Sequence, residues 1–268
     1  MGEMEKYIFN YGENISVCMF SCLKDNYGFL VHCKKTNTTA CIDTPDGKRI
    51  IEVAMELDWP VDQILNTHHH ADHAGGNLEV KQAFDKCKVI GFHSDAKRIP
   101  GIDIEVKDNE LFLFGDTSVR VIHTPGHTLG HIIYVFEKNG IAFVGDTLFS
   151  LGCGRVFEGS YEQMWSSLLK IKSLDKGLMI YCAHEYTEAN AKFALSVNPS
   201  SLDLQLRSAE VARLRKRGLP TIPVKLSDEI KTNPFLGENF NKISQTIKSS
   251  STESVQIFAQ IRQLKDSF

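Results

Sequence analysis

An apolar run ends at Ile64-Leu65 and opens directly into Asn66-Thr67-His68-His69-His70-Ala71-Asp72-His73-Ala74-Gly75-Gly76. In an extended segment successive side chains alternate faces, so His68 and His70 point the same way and His69 points away. Two imidazoles then face one cation. A helix candidate follows at 77–84, and a chain that turns helical here brings Asp72 and His73 out of the turn toward a neighbouring ion, the glycines giving the backbone room to bend. Three more candidate ligands stand just beyond strand-like runs. Residues 119–122 lead through Thr124-Pro125-Gly126 to His127, 141–144 lead to Asp146, and 178–182 lead to His184. Strand ends converging on one rim are where α/β proteins build ligand sites. Seven nitrogen and oxygen donors on one rim suit two borderline divalent ions such as zinc. Without a cation, burying these groups together costs on the order of several kcal/mol each.

The surrounding pattern is that of an α/β protein. Strand candidates fall at 15–20, 27–32, 40–43, 63–67, 88–93, 118–123, 131–136, 141–145 and 178–183, interleaved with helical periodicity at 47–57, 77–84 and 161–174. Met164, Leu168, Ile171 and Leu174 form one stripe of the last helix. Lys138-Asn139-Gly140 sits between two strand runs as a tight hairpin turn, which predicts an antiparallel pair. From Thr187 the strands stop. Helical segments at 189–197, 200–217 and 255–264 alternate with Pro- and Gly-bearing loops at 218–223 and 232–234. The 268 residues are enough for a large domain over 1–186 and a small helical one over 187–268.

Charged residues make up 24% of the chain and the formal net charge is −3, so no basic field calls for nucleic acid. No apolar run reaches membrane-spanning length, and the start, residues 1–6, lacks the cationic and apolar pattern of a leader, which predicts a cytoplasmic protein with no membrane partner. Seven cysteines form no even-numbered framework and read as reduced thiols, with Cys18 and Cys22 as buried small side chains. His32, His69, His93 and His123 read as structural or solvated. Cys153 has no general base paired with it in the sequence, so it reads as a packing residue and not a nucleophile.

At these residues the sequence resembles the metallo-β-lactamase superfamily, with its His-x-His-x-Asp-His signature, and within it the glyoxalase II, or hydroxyacylglutathione hydrolase, family. The likeness extends through Thr124-Pro125-Gly126-His127-Thr128, Gly145-Asp146-Thr147-Leu148-Phe149, Gly152-Cys153-Gly154-Arg155, His184-Glu185-Tyr186-Thr187, Asn233-Pro234-Phe235-Leu236 and the terminal Arg262-Gln263-Leu264-Lys265-Asp266-Ser267-Phe268. The resemblance implies an αββα sandwich followed by a C-terminal helical domain that binds glutathione. It also implies that one metal takes His68, His70 and His127, the other takes Asp72, His73 and His184, and Asp146 bridges both. The family's ions are usually zinc, with iron or manganese also accepted.

The implied reaction is hydrolysis of S-D-lactoylglutathione and other 2-hydroxyacylglutathiones to glutathione and the hydroxy acid, the second step of methylglyoxal detoxification. A hydroxide between the metals, with Asp72 and Asp146 as the catalytic carboxylates, attacks the thioester carbonyl. Arg155, Tyr186, Arg262 and Lys265 match the family's glutathione contacts. Phe157, read with them as a fifth substrate contact, stands where some members have tyrosine, and Gly237 where many have arginine. Taken singly, each cation reads as a solvated charge; their joint match carries the assignment. Arg262 and Lys265, three apart on a helical segment, can face one carboxylate. A monomer is expected, with a small glutathione thioester as its partner. The rival readings are a persulfide dioxygenase, which shares the Gly-Cys-Gly-Arg element, and a non-catalytic metal protein on the same fold.

Overall fold

The computed structural model describes residues 6–268, so most of the start read for a leader lies outside the described residues. The chain divides into one unit running to His123 with Gly130–Gly145, and another made of Thr124–Leu129 with Asp146–Phe268.

In the first unit, β1 (Lys6–Tyr11), β2 (Ile15–Cys22), β3 (Asn26–Cys33) and β4 (Thr38–Ile42) form an antiparallel meander. Short turns join antiparallel neighbours, whereas parallel strands need a crossover. That crossover is α1 (Gly47–Glu56), capped by the Asp46 side chain accepting from Arg49 N, and it delivers the chain to β5 (Val61–Leu65), parallel to β4. After α2 (Ala71–Ala74) and α3 (Asn77–Ala83), β6 (Lys88–Phe92) and β7 (Ile102–Val106) extend the parallel part. One face of this sheet packs Cys18, Phe20, Leu30, Ile64 and Val89 against Ile50, Val53 and Ala54 of α1 and Val80 of α3.

The other face meets a second sheet. Its antiparallel strands are β8 (Leu111–Phe114), β9 (Thr117–His123), β10 (Ile132–Phe136) and β11 (Ile141–Gly145). Phe29 lies edge-on to Phe143 with centroids 5.5 Å apart. Tyr134 Oη donates to the Asn66 carbonyl at 2.8 Å, tying the sheets together just where β5 ends. Because both faces of β3 are covered, all its residues are buried and its pattern is continuous instead of alternating. The hairpin expected around Lys138-Asn139-Gly140 is present: β10 and β11 are antiparallel, with Gly140 in the left-handed region.

The second unit begins with the small pair β12 (Leu148–Phe149) and β13 (Gly152–Cys153), followed by α4 (Tyr161–Lys172). Ser160 and Gln163 form a reciprocal capping box, and Met164, Leu168 and Ile171 are the buried stripe of α4. Next come β14 (Met179–Cys182), α5 (Thr187–Val197) and α6 (Leu202–Lys216), the last capped by Ser201. The strand-free reading of everything beyond Thr187 needs one correction. β15 (Val224–Lys225) pairs antiparallel with β14 before α7 (Leu226–Thr232), α8 (Phe240–Thr246) and α9 (Ser254–Asp266) complete the helical region. Phe258 of α9 packs on Trp165 and Phe235, which joins that region to α4. No helix among the described residues is long and apolar enough to cross a membrane.

All seven cysteines are free and buried. Burial pushes the Cys18 thiol up to about 11 and that of Cys22 to about 12, as inert core side chains require.

Candidate metal centre

In the first unit the donors follow the end of β5. The extended backbone puts His68 Nε2 3.0 Å from His70 Nδ1, while His69 turns the other way to Asp95 Oδ2 at 3.1 Å and Arg98 Nη1 at 3.3 Å. The chain then enters α2, which carries Asp72 and His73, with His73 Nε2 3.6 Å from Asp72 Oδ2.

Beneath them lies Asp43, one residue past β4 and held at a positive φ of 56°. Its Oδ1 accepts from Thr67 N at 2.7 Å, and its Oδ2 accepts from Thr67 Oγ1 and His73 Nδ1, both at 2.8 Å. The Thr67 hydroxyl, having donated to Asp43, is left to accept from His68 Nδ1 at 3.0 Å. Both imidazoles therefore carry their proton on Nδ1 and turn Nε2 outward, the tautomer a metal needs. Asp43 and Thr67 escaped the sequence reading, although Asp43 follows an apolar run just as the recognised ligands do. His131, also buried, stacks on His68 with centroids 4.9 Å apart.

The second unit holds a complementary arrangement. His127 Nδ1 donates to the Arg155 carbonyl at 2.9 Å, and its Nε2 lies 3.4 Å from Asp146 Oδ2. His184 Nε2 lies 3.5 Å from the other oxygen, Asp146 Oδ1. A Cβ at Gly154 would run into the Asp146 carbonyl oxygen, so only glycine lets the segment just past β12 and its partner strand pass this close.

These spacings can be tested against a metal. A tetrahedral site with bonds of about 2.1 Å has donor-to-donor edges of about 3.4 Å, and the four pairs measured above, 3.0, 3.6, 3.4 and 3.5 Å, bracket that value. Among the described residues, the His, Cys, Asp and Glu side chains grouped so that they can hold a metal ion are His68, His70, Asp72, His73, His127, Asp146 and His184, and no others. The fold therefore carries a His/Asp cluster able to bind metal.

Beside His127 and Asp146, in the second unit, lies a cavity of about 470 Å³, lined among others by Phe149, Cys153, Arg155, Phe157, Tyr186, Arg262 and Lys265. The five side chains read as substrate contacts thus share one wall system. Tyr186 stacks on His184 at 4.7 Å, and Phe149 stands edge-on to Tyr186 at 5.3 Å. Phe157 is 61% exposed and meets His127 edge-on at 5.2 Å.

Of the cations, Arg155 is exposed as single-residue reading suggests, Lys265 is half-buried, and Arg262 departs from that reading. Arg262 is only 3% exposed and donates to the Cys153 carbonyl at 2.8 Å and to Asp266 Oδ1 at 3.0 Å. Arg155 Nε lies 3.5 Å from the same Asp266 oxygen. Lys265 Nζ lies over the rings of Phe193 and Phe268 at 5.3 and 5.5 Å, and burial, with the charges of Arg262 and Arg155, lowers its pKa.

Burial pushes the Cys153 thiol up to about 11 although Arg262 opposes the shift. A neutral thiol beside a guanidinium has no base to activate it. Gly237 has a φ of 79°, and a Cβ there would meet the Trp165 ring, so this backbone suits glycine.

Residues 46–184 match the model of the metallo-beta-lactamase superfamily, and residues 185–268 match that of the hydroxyacylglutathione hydrolase C-terminus. The chain is 49% identical over 249 residues to a hydroxyacylglutathione hydrolase of Maricaulis maris (strain MCS10), covering 93% of this chain and 97% of that protein. It is 46% identical to one from Rhodopseudomonas palustris (strain BisB18), covering 92% and 97%. Among solved structures, it resembles ETHE1 from Myxococcus xanthus with a TM-score of 0.62 at 20% identity, covering 98% of this chain and 99% of that one. The BLEG-1 B3 metallo-beta-lactamase gives 0.60 at 19% identity, covering 79% and 94%.

Proposed function

This chain belongs to the hydroxyacylglutathione hydrolases of the metallo-β-lactamase superfamily, and from that premise we infer that its seven ligands form one two-metal centre cleaving 2-hydroxyacylglutathiones such as S-D-lactoylglutathione. The chain is a thioester hydrolase. The observation that carries the two-metal reading is Asp146, which turns one carboxylate oxygen to His127 and the other to His184. A carboxylate so divided suits a bridge. In the arrangement proposed, His68, His70 and His127 would hold one ion, Asp72, His73 and His184 would hold the other, and Asp146 would serve both. Mixed imidazole and carboxylate donors favour zinc.

Divalent ions, when bound there, would supply Lewis acidity toward the thioester carbonyl and toward water. The chain's own residues do the rest. Asp43, Thr67 and the Arg155 carbonyl fix the tautomers of His73, His68 and His127, so that each presents Nε2. Asp72 and Asp146 bring the negative charge that retains two dications. Arg155, Phe157, Tyr186, Arg262 and Lys265 receive the peptide of the thioester, the cations drawing its carboxylates and the rings covering its apolar stem. Cys153 stays neutral and does not attack.

We assign catalysis to residues 1–186 and glutathione binding chiefly to 187–268, in a cytoplasmic monomer. The reading is tested by measuring thiol release from S-D-lactoylglutathione before and after exhaustive chelation. Activity should vanish with the metal and return with zinc. Release that is insensitive to chelation would overturn it.

A further inference from the structure

Glu229 is a deeply buried acid that the chemistry above leaves unused. It sits on α7, 1% exposed, and burial raises its pKa above the usual carboxylate value despite the hydrogen bonds it accepts. Oε1 accepts from Ser150 Oγ at 2.8 Å, and Oε2 accepts from Leu151 N at 2.8 Å and from Asn233 Nδ2 at 2.9 Å. The same Asn233 amide, from the Asn-Pro-Phe-Leu run, also reaches the carbonyls of Phe149 and Gly152 at 3.1 and 2.9 Å.

These bonds converge on the turn between β12 and β13. Leu151 in that turn has a φ of 58°, a left-handed conformation that disfavours any residue with a Cβ. Only two residue pairs join the strands that flank it. So short a ladder does not hold a strained turn by itself. The buried carboxylate makes up the difference, because releasing Leu151 N from it would leave a donor unsatisfied in dry surroundings.

The turn matters for what its two ends carry. Phe149 at one end is edge-on to Tyr186 at 5.3 Å and to His184 at 5.9 Å. Cys153 at the other end offers its carbonyl to Arg262 at 2.8 Å. Both line the cavity. We propose that Glu229, assisted by Asn233, is a positioning residue for recognition of the glutathione moiety: it clamps the Phe149–Gly152 turn and so sets the cavity wall. The inference rests on the reading of that cavity as the glutathione site.

The test compares wild type with Glu229→Gln on two thioesters of one acyl group, carried by glutathione or by N-acetylcysteine, which lacks the γ-glutamyl and glycyl arms. Glutamine keeps the shape but turns an NH2 toward one of the donors now accepted. KM for the glutathione thioester should rise about 10-fold, kcat/KM for the N-acetylcysteine thioester should move less than about 2-fold, and metal content should stay the same. An unchanged KM, an equal loss on both substrates, or a loss of metal overturns the inference. Should Glu229→Gln fail to fold, Ser150→Ala, which removes the bond to Oε1 and a longer contact of 3.4 Å from Arg207 Nη2, decides: KM for the glutathione thioester alone should rise about 3-fold, and no change overturns the clamp. A wild-type protein that releases no thiol from the glutathione thioester overturns the functional reading and this inference with it, whereas an unchanged KM in the variants overturns the inference alone.

Discussion

Replacing Asp43 with asparagine should loosen the metals without touching a ligand. Three donors aim at this carboxylate: Thr67 N at Oδ1, and Thr67 Oγ1 and His73 Nδ1 at Oδ2. Asparagine offers only one oxygen, so whichever way its amide turns at least one donor faces an NH2. Either Thr67 N loses its acceptor or His73 and the Thr67 hydroxyl lose theirs. A buried donor left without a partner costs about 1–3 kcal/mol, and the lost negative charge weakens the orientation of His73 further. Removing such a supporting group typically lowers metal affinity about 10- to 100-fold, or roughly 1.4–2.7 kcal/mol, the same range reached from the hydrogen bonds. The assay is metal retention against graded chelator, read by elemental analysis beside a thermal melt. Asp43→Asn should release metal at about 10-fold lower chelator or less. Retention identical to wild type would refute the argument that Asp43 orders the imidazoles.

Cys153→Ala should keep its metals and turn over within about 2-fold of wild type, because a neutral buried thiol has no role as nucleophile; loss of turnover with metal still bound would contradict this. Lys265→Ala should mainly raise KM for the glutathione thioester, since its charge acts in ground and transition states alike. A large fall in kcat at constant KM would sink that assignment. Glu229 gives a signed pH dependence. Its folded pKa lies above the ordinary 4.5, so below 4.5 its contribution to stability is fully present, and it is lost as pH rises through the folded value. The stability of wild type relative to Glu229→Gln, from urea unfolding, should therefore fall on going from about pH 4.5 to neutrality, and a difference independent of pH would show the shift to be absent.

The ligands were legible because each follows an apolar run that becomes a strand, and the period of two separated His69 from His68 and His70 correctly: His69 pairs with Asp95 and Arg98 instead. Asp43 obeys the same positional rule, but its work is to hold Thr67 and His73, and position at a strand end does not distinguish a ligand from a group that orients one. The missed strands have different physical causes, and β12, β13 and β15, of two residues each, are too short to show any period. β1 and the edge strand β7 mix polar with apolar residues and show no apolar run, while the edge strand β8 is an apolar run of only four residues, Leu111–Phe114, two of which face outward. In the helical region α7 and α8 have seven residues each, too short to display a stripe. Arg262 could not be read as buried from its type; its environment is made by Cys153 and Asp266, one of them 109 residues away in the chain.

The central claim is that one centre uses two metal ions to cleave a glutathione thioester. It is tested most directly by titrating chelator-stripped protein with zinc while following thiol release from S-D-lactoylglutathione. Activity should climb until two equivalents are bound per chain and then level off, with Asp146→Asn failing to reach that plateau. A plateau at one equivalent, or a protein that is inert toward the thioester but consumes oxygen with glutathione persulfide, would contradict it.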